Sequence, residues 1–228
     1  MMLSGTEARI LDDKSAVAEA ATRLILKQAR EAIAARGRFK ILLAGGTTPT
    51  AAYRLLAAQE AAWKDWHIYH GDERCVAIGD SERNSLVADE AWLDHVAIPR
   101  DQVNTIPAEL GAEAAAASYE PVIADALPFD LVLLGMGEDG HTASLFPGHA
   151  IPGETLVIPV HDAPKPPPDR VSLTPKALGS ASLILFLITG SSKRGALRRW
   201  QRGDSLPIAQ VAGAASSMVL IDRDAADA

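Results

Sequence analysis

The chain has 228 residues, and 22 Lys+Arg against 29 Asp+Glu leave a formal net charge of −7 at pH 7. Its 48% hydrophobic and 22% charged composition excludes a disordered or fibrous protein, and a chain of this size buries roughly 70% of its unfolded surface, enough to need no disulfide or structural metal. The acidic balance without a basic run argues against nucleic acid, the longest apolar run, Leu183 to Ile188, falls far short of the ~20 residues of a membrane span, and the lone Cys75 excludes an internal disulfide and a cysteine zinc site.

The N-terminus has no basic segment followed by an apolar one, so secretion is unsupported and the expected location is cytoplasmic. From Asp12 to Arg36, Val17, Ala20, Ala21, Leu24, Ile25, Ala32 and Ile33 recur at helical spacing, with Asp12 or Asp13 as cap and Gly37 as stop. Phe39 to Ala44 reads as a strand ended by Gly45-Gly46. A helix follows, with Thr48 predicted as its cap and Pro49 as its first residue. Further buried strands are predicted at Trp66 to Tyr69, Asp130 to Leu134, Thr155 to Val160, Arg170 to Thr174, Leu183 to Thr189 and Met218 to Ile221, and helices at Glu109 to Leu127 and Ser191 to Gln201. Alternation of apolar strands with helices predicts an α/β fold: a modified Rossmann-like, mainly parallel sheet with helices on both faces. The proline-rich stretch Ala163 to Pro168 reads as a rigid surface loop, because too little chain follows it for a second domain, so residues 1–228 are expected to form one domain.

Four turns carry candidate chemistry. Gly45-Gly46-Thr47-Thr48-Pro49 is either an ordinary strand-to-helix turn or a cradle in which helix-start amides meet a phosphate. His70-Gly71-Asp72-Glu73-Arg74 leaves a strand at the carboxyl edge of the sheet, where such folds bind ligands. There Arg74 could hold an anion or a developing oxyanion and Asp72 could orient a neighbour, or the segment is a solvated acidic turn. His67 and His70 are three apart on a strand, hence on opposite faces, and read as structural rather than as a metal pair. The glycine-rich run Gly135-Met136-Gly137-Glu138-Asp139-Gly140-His141 is suited to bend the backbone and deliver Asp139 and His141 to the strand-end crevice, where a neutral imidazole can serve as general base. Finally, Arg170 and Lys193, the latter after Thr189-Gly190-Ser191-Ser192, suit a phosphate clamp, whereas Arg194, Arg198 and Arg199 read as a solvated helix face.

Together the segments LLAGGTTP, HIYHGDERCV, DSERNS, DLVLLGMGEDGHTASLFPGH, RVSLTP and LITGSSKRGAL, running from Leu42 to Leu197, resemble the 6-phosphogluconolactonase family within the glucosamine-6-phosphate isomerase/deaminase superfamily. The resemblance implies hydrolysis of 6-phospho-D-glucono-1,5-lactone in the oxidative pentose phosphate pathway without a cofactor, and the residues themselves offer no convincing metal-ligand set. It makes His141 similar to the water-activating base and Arg74 to an arginine at the reacting carbonyl. Gly45, Gly46, Thr47, Arg170 and Lys193 look like phosphate and sugar contacts, and Asp72 and Asp139 match positions used in the superfamily's sugar sites. The expected partner is a small phosphorylated lactone, with no nucleic acid or membrane, and the expected state is a monomer or weak homo-oligomer.

Two other readings stand beside it. Glucosamine-6-phosphate deaminases carry a catalytic Glu five positions after the equivalent His, where this chain has Phe146, and a phenyl ring cannot supply the proton transfers of ring opening and amine release. A phosphosugar sensor would usually carry a DNA-binding module, and Asp12 to Arg36 reads as one helix rather than a helix-turn-helix. Ser144 lies outside a GxSxG elbow, so the predicted route is direct attack by water.

Overall fold

Asp13 and Gly37 bracket the first helix, α1 (Lys14–Arg36), as its sequence predicts. The Asp13 carboxylate accepts the Ala16 amide at 2.9 Å, and Gly37 ends the helix in the left-handed conformation, φ 73°, donating to the Ile33 carbonyl. In this computed structural model, which describes residues 2–3 and 6–226, the strands are β1 (Met2–Leu3), β2 (Thr6–Leu11), β3 (Phe39–Leu43), β4 (Trp66–His70), β5 (Asp72–Arg74), β6 (Val103–Asn104), β7 (Phe129–Gly135), β8 (Val157–Val160), β9 (Arg170–Leu173), β10 (Ala181–Ile188) and β11 (Ser217–Asp222). The remaining α-helices are α2 (Thr47–Ala57), α3 (Asn84–Ala91), α4 (Ala112–Ala126), α5 (Pro175–Leu178), α6 (Arg194–Gln201), α7 (Pro207–Ala212) and α8 (Arg223–Ala226).

An eight-stranded sheet runs β1-β2-β11-β10-β7-β3-β4-β6. Only its edge pair β1 and β2 is antiparallel. Successive residues of the central strands point to opposite faces. Ile41, Leu131, Leu133 and Leu185 join α1, α2 and the Trp63, Trp66 and Trp92 group on one side. Leu42, Val132, Leu134 and Phe186 join α4 and α6 on the other. Burial on both faces is why these strands read as unbroken apolar runs.

Three expectations are corrected. The strands predicted from Thr155 and from Arg170 do not enter the main sheet. With β5 they form a separate antiparallel sheet, β5-β9-β8, and the pairing of β5 with β9 is long-range and leaves no periodic signature in the chain. Thr48 does not cap α2: the helix begins at Thr47 behind Gly46, with no side-chain cap, and the Thr48 hydroxyl is instead 2.6 Å from that of Thr189. The opening strand β2 and the helices α3 and α7 also lie outside the predicted elements. Chain order explains where ligands gather: from β3 the path runs outward through β4 to β6, whereas β7 leads the other way through β10 to β11. The crevice at this reversal, at the strands' carboxyl ends, is the natural binding position of an open α/β sheet.

Candidate active site

That crevice holds a cavity of about 460 Å³. The turns after the neighbouring strands β10, β7, β3 and β4 all reach it, and of the sequence-predicted site residues, Gly45, Gly46, Thr47, Asp72, Arg74, His141, Arg170 and Lys193 line it. Asp139 is absent from the wall but touches it through His141. Its Oδ1 lies 2.6 Å from His141 Nδ1 and also accepts the His141 amide at 3.1 Å. An ionised carboxylate only accepts, so Nδ1 carries a ring proton, the tautomer that in a neutral ring puts the basic lone pair on Nε2. Burial works to raise the Asp139 carboxyl, but the His141 amide, the electrostatic attraction of the ring and the ring hydrogen bond outweigh it and hold the group below the usual carboxylate range.

The glycines around His141 have separate jobs. A Cβ on Gly137 would sit 2.0 Å from the imidazole Nδ1, so only glycine leaves room for the ring where it stands. Gly140 adopts φ +91°, a left-handed turn that returns the chain so that Gly137 N–H donates to the His141 carbonyl at 2.8 Å. Below the ring lies Phe146, its centroid 4.8 Å from that of His141. The Arg170 guanidinium stands 5.6 Å from the same Phe146 ring centre. The residue that departs from the deaminase pattern is thus a packing surface for two site residues.

Five cationic side chains, Lys14, Arg74, Lys165, Arg170 and Lys193, line this one cavity in a chain of net charge −7. β5 and β9 set Arg74 and Arg170 directly opposite each other. Two like charges in that register are unfavourable alone, and the buried Asp72 between them in the charge network offsets the repulsion. Asp72 accepts from the Ser144 hydroxyl at 2.7 Å and the Asn84 amide at 3.3 Å. Burial nevertheless raises its carboxyl above the usual range, against the pull of Ser144 and the two arginines. Arg74 donates through Nη1 to the Glu82 carbonyl, and its buried Nε has no hydrogen-bond partner among the described residues. Burial lowers the Lys193 ammonium from the ordinary lysine range, with Glu138 raising it and Lys165 lowering it further. At α2, the absence of a side-chain cap leaves the first amides to the cavity.

A family model described as glucosamine-6-phosphate isomerases/6-phosphogluconolactonase matches residues 12–220. The chain belongs to this family. It is 38% identical to the 6-phosphogluconolactonase of Mycobacterium tuberculosis over 95% of this chain and 96% of that one. The crystal structure of 6-phosphogluconolactonase from Thermotoga maritima matches with a TM-score of 0.89 at 30% identity, covering 95% and 99% of the two chains. A monomeric glucosamine-6-phosphate deaminase also matches, with a TM-score of 0.86 at 21% identity over 97% of this chain and 99% of that one, so the fold itself is common to both branches of the family.

Against that family background, several contributors escape a reading of the sequence. Lys14 reaches the cavity from the start of α1, and Lys165 from the proline-rich loop. Glu73 is fully buried and accepts the amides of Arg74 (2.9 Å), Asn84 (2.7 Å) and Ser85 (2.9 Å), tying β5 to the start of α3. Its buried cationic neighbour is Arg83, 3.9 Å away. The nearest signal in the chain was the DSERNS block, which supplies Arg83, Asn84 and Ser85. Ser144, with its hydroxyl committed to Asp72, is not among the cavity-lining residues. Among the described residues no group of three or more His, Cys, Asp and Glu is arranged to hold a metal ion, and no helix is long and apolar enough to cross a membrane.

Proposed function

We propose that this chain, acting as a single cytoplasmic domain, hydrolyses 6-phospho-D-glucono-1,5-lactone to 6-phospho-D-gluconate, the lactone step of the oxidative pentose phosphate pathway. One observation carries the reading: an imidazole whose Nδ1 is bound to a carboxylate shares a cavity with five cationic side chains. Its relatives named 6-phosphogluconolactonase support the same substrate.

The phosphate is bound by Lys193 and the amides of the Gly45-Gly46-Thr47 turn, with Arg170 and Asp72 contacting the phosphosugar. Holding the ring there turns a bimolecular attack into a positioned one. Water adds to C1 while His141 Nε2 takes its proton, and Asp139 stabilises the imidazolium that forms. The carbonyl electrons move onto oxygen, where the Arg74 guanidinium, part of the cavity wall, stabilises the developing oxyanion. Collapse breaks the bond from C1 to the ring oxygen, and the imidazolium returns its proton to that oxygen. The new carboxylic acid then ionises. Each step needs only water and these side chains. A deaminase route would need a further acid at residue 146, where Phe146 supports the His141 ring instead.

The test is a coupled assay with freshly made 6-phosphogluconolactone, its spontaneous hydrolysis subtracted, beside glucosamine 6-phosphate. Turnover of the lactone alone is expected. His141→Asn is expected to lower kcat by roughly 10²–10⁴ with a smaller effect on binding. Turnover of glucosamine 6-phosphate, or phosphosugar bound and released unchanged by the wild type, would overturn the reading.

A further inference from the structure

The proline-rich loop between β8 and β9 is not idle surface. It is fastened on three sides. At its base Ala163 N–H donates to the Pro168 carbonyl at 3.0 Å, and the His161 ring bridges Asp169 and Glu113, each nitrogen 2.8 Å from a carboxylate oxygen. At its crown Arg170 donates through Nε to the Pro167 carbonyl (3.1 Å) and through Nη2 to the carbonyls of Lys165 (2.9 Å) and Pro166 (3.3 Å). Four prolines, at 164, 166, 167 and 168, restrict φ and so reduce the entropy lost on ordering the loop. The loop places Lys165 and Pro166 in the wall of the catalytic cavity. Lys165 Nζ rests 3.5 Å from Glu138, and both side chains are more than half exposed, so this pair is weak and readily exchanged for a better anion. Lys165 and Lys193 flank Glu138 electrostatically, one from the loop and one from the turn after β10.

We propose that Lys165 is a direct ligand of the substrate's phosphate, paired with Lys193, and that Arg170 positions it by holding the carbonyls of Lys165, Pro166 and Pro167. This deepens the lactonase reading and rests on it only for the presence of a phosphate on the substrate. An ammonium is a point charge that needs no fixed angle to a phosphate oxygen, which suits a side chain on a loop. Arg170 spends two of its nitrogens on the loop, so its planar fork matters as well as its charge.

Binding of 6-phosphogluconate, measured by calorimetry, reads the proposal without turnover. Lys165→Met is expected to weaken it roughly 10–100-fold, the range for a charge-assisted hydrogen bond, and to lower the preference in kcat/KM for phosphorylated over unphosphorylated lactone. Arg170→Lys keeps the charge but loses the fork, and is expected to weaken binding as well. Because part of that loss runs through Lys165, the double variant is expected to lose less than the product of the two single losses. Binding by Lys165→Met within twofold of wild type, or no binding of 6-phosphogluconate by the wild type, would overturn the phosphate contact; losses that multiply would overturn the positioning role. If the wild type fails to turn over the lactone while Lys165→Met still weakens 6-phosphogluconate binding, the lactonase reading fails and the Lys165 contact stands.

Discussion

The turns that follow β3, β7 and β10 and the small sheet β5-β9-β8 meet in one cavity but hold their groups by different means. The turns work through backbone: Gly137 makes room for the His141 ring, and Gly46 opens α2 without a side-chain cap. The small sheet works through buried polar side chains. Arg74 and Arg170 stand opposite each other because Glu73, Asp72, Asn84, Ser144 and Arg83 knit the sheet to α3 and to the loop after β7. The turns can therefore lose a functional side chain with little effect on the fold. The small sheet cannot, since each buried partner it loses strands another.

The largest effect should come from breaking that network. Glu73→Ala leaves three amides without their acceptor and takes the buried carboxylate away from beside Arg83, and is expected to cost about 3–5 kcal/mol of stability, seen as a lower urea midpoint, together with lost activity. A loss under about 1 kcal/mol would contradict the distinction between the regions.

His70, at the end of β4 beside the small sheet, adds a pH test. Burial pushes its ring down to about 4, against the pull of Asp89 and Asp72, and its Nε2 has no partner among the described residues. The folded chain therefore keeps this ring neutral while the unfolded chain protonates it near its ordinary pKa. Its stabilising contribution is complete above about pH 6.5 and is lost as pH falls toward 4, about 3 kcal/mol in all. Equilibrium unfolding of wild type and His70→Phe across this window should show a shallower pH slope in the variant. Equal slopes would place the acid sensitivity elsewhere.

Asp139→Asn probes the other region. The side chain is 42% exposed, so stability should stay within about 0.5 kcal/mol of wild type. Without the carboxylate that fixes the His141 tautomer, kcat should fall roughly 10–100-fold. A stability loss comparable to that of Glu73→Ala would erase the contrast.

The same contrast explains what the sequence could tell. The central strands of the main sheet were legible because strands buried on both faces write continuous apolar runs, and the turns because glycine next to His141, or after Leu43 and Thr189, marks backbone that must bend or let a group approach. Helix α1 was legible from its caps. The small sheet was not, because pairing of Asp72–Arg74 with Arg170–Leu173 joins segments nearly a hundred residues apart in the chain. Asp72, Arg74 and Arg170 were nominated by chemistry and family resemblance, but their cross-strand placement belongs to tertiary structure. Lys14 and Lys165 carried no local mark at all: a lysine at a helix start or in a proline-rich loop reads as solvated surface until the fold puts it in a wall.

One base and a set of anion donors divide the labour of the site, and measuring kcat and the Kd of 6-phosphogluconate on His141→Asn and Lys193→Ala in parallel separates the two roles. His141→Asn is expected to lose turnover while still binding the product, and Lys193→Ala to lose affinity while losing far less kcat. Two variants with the same pattern of losses, or a His141→Asn enzyme with wild-type turnover, would contradict this division.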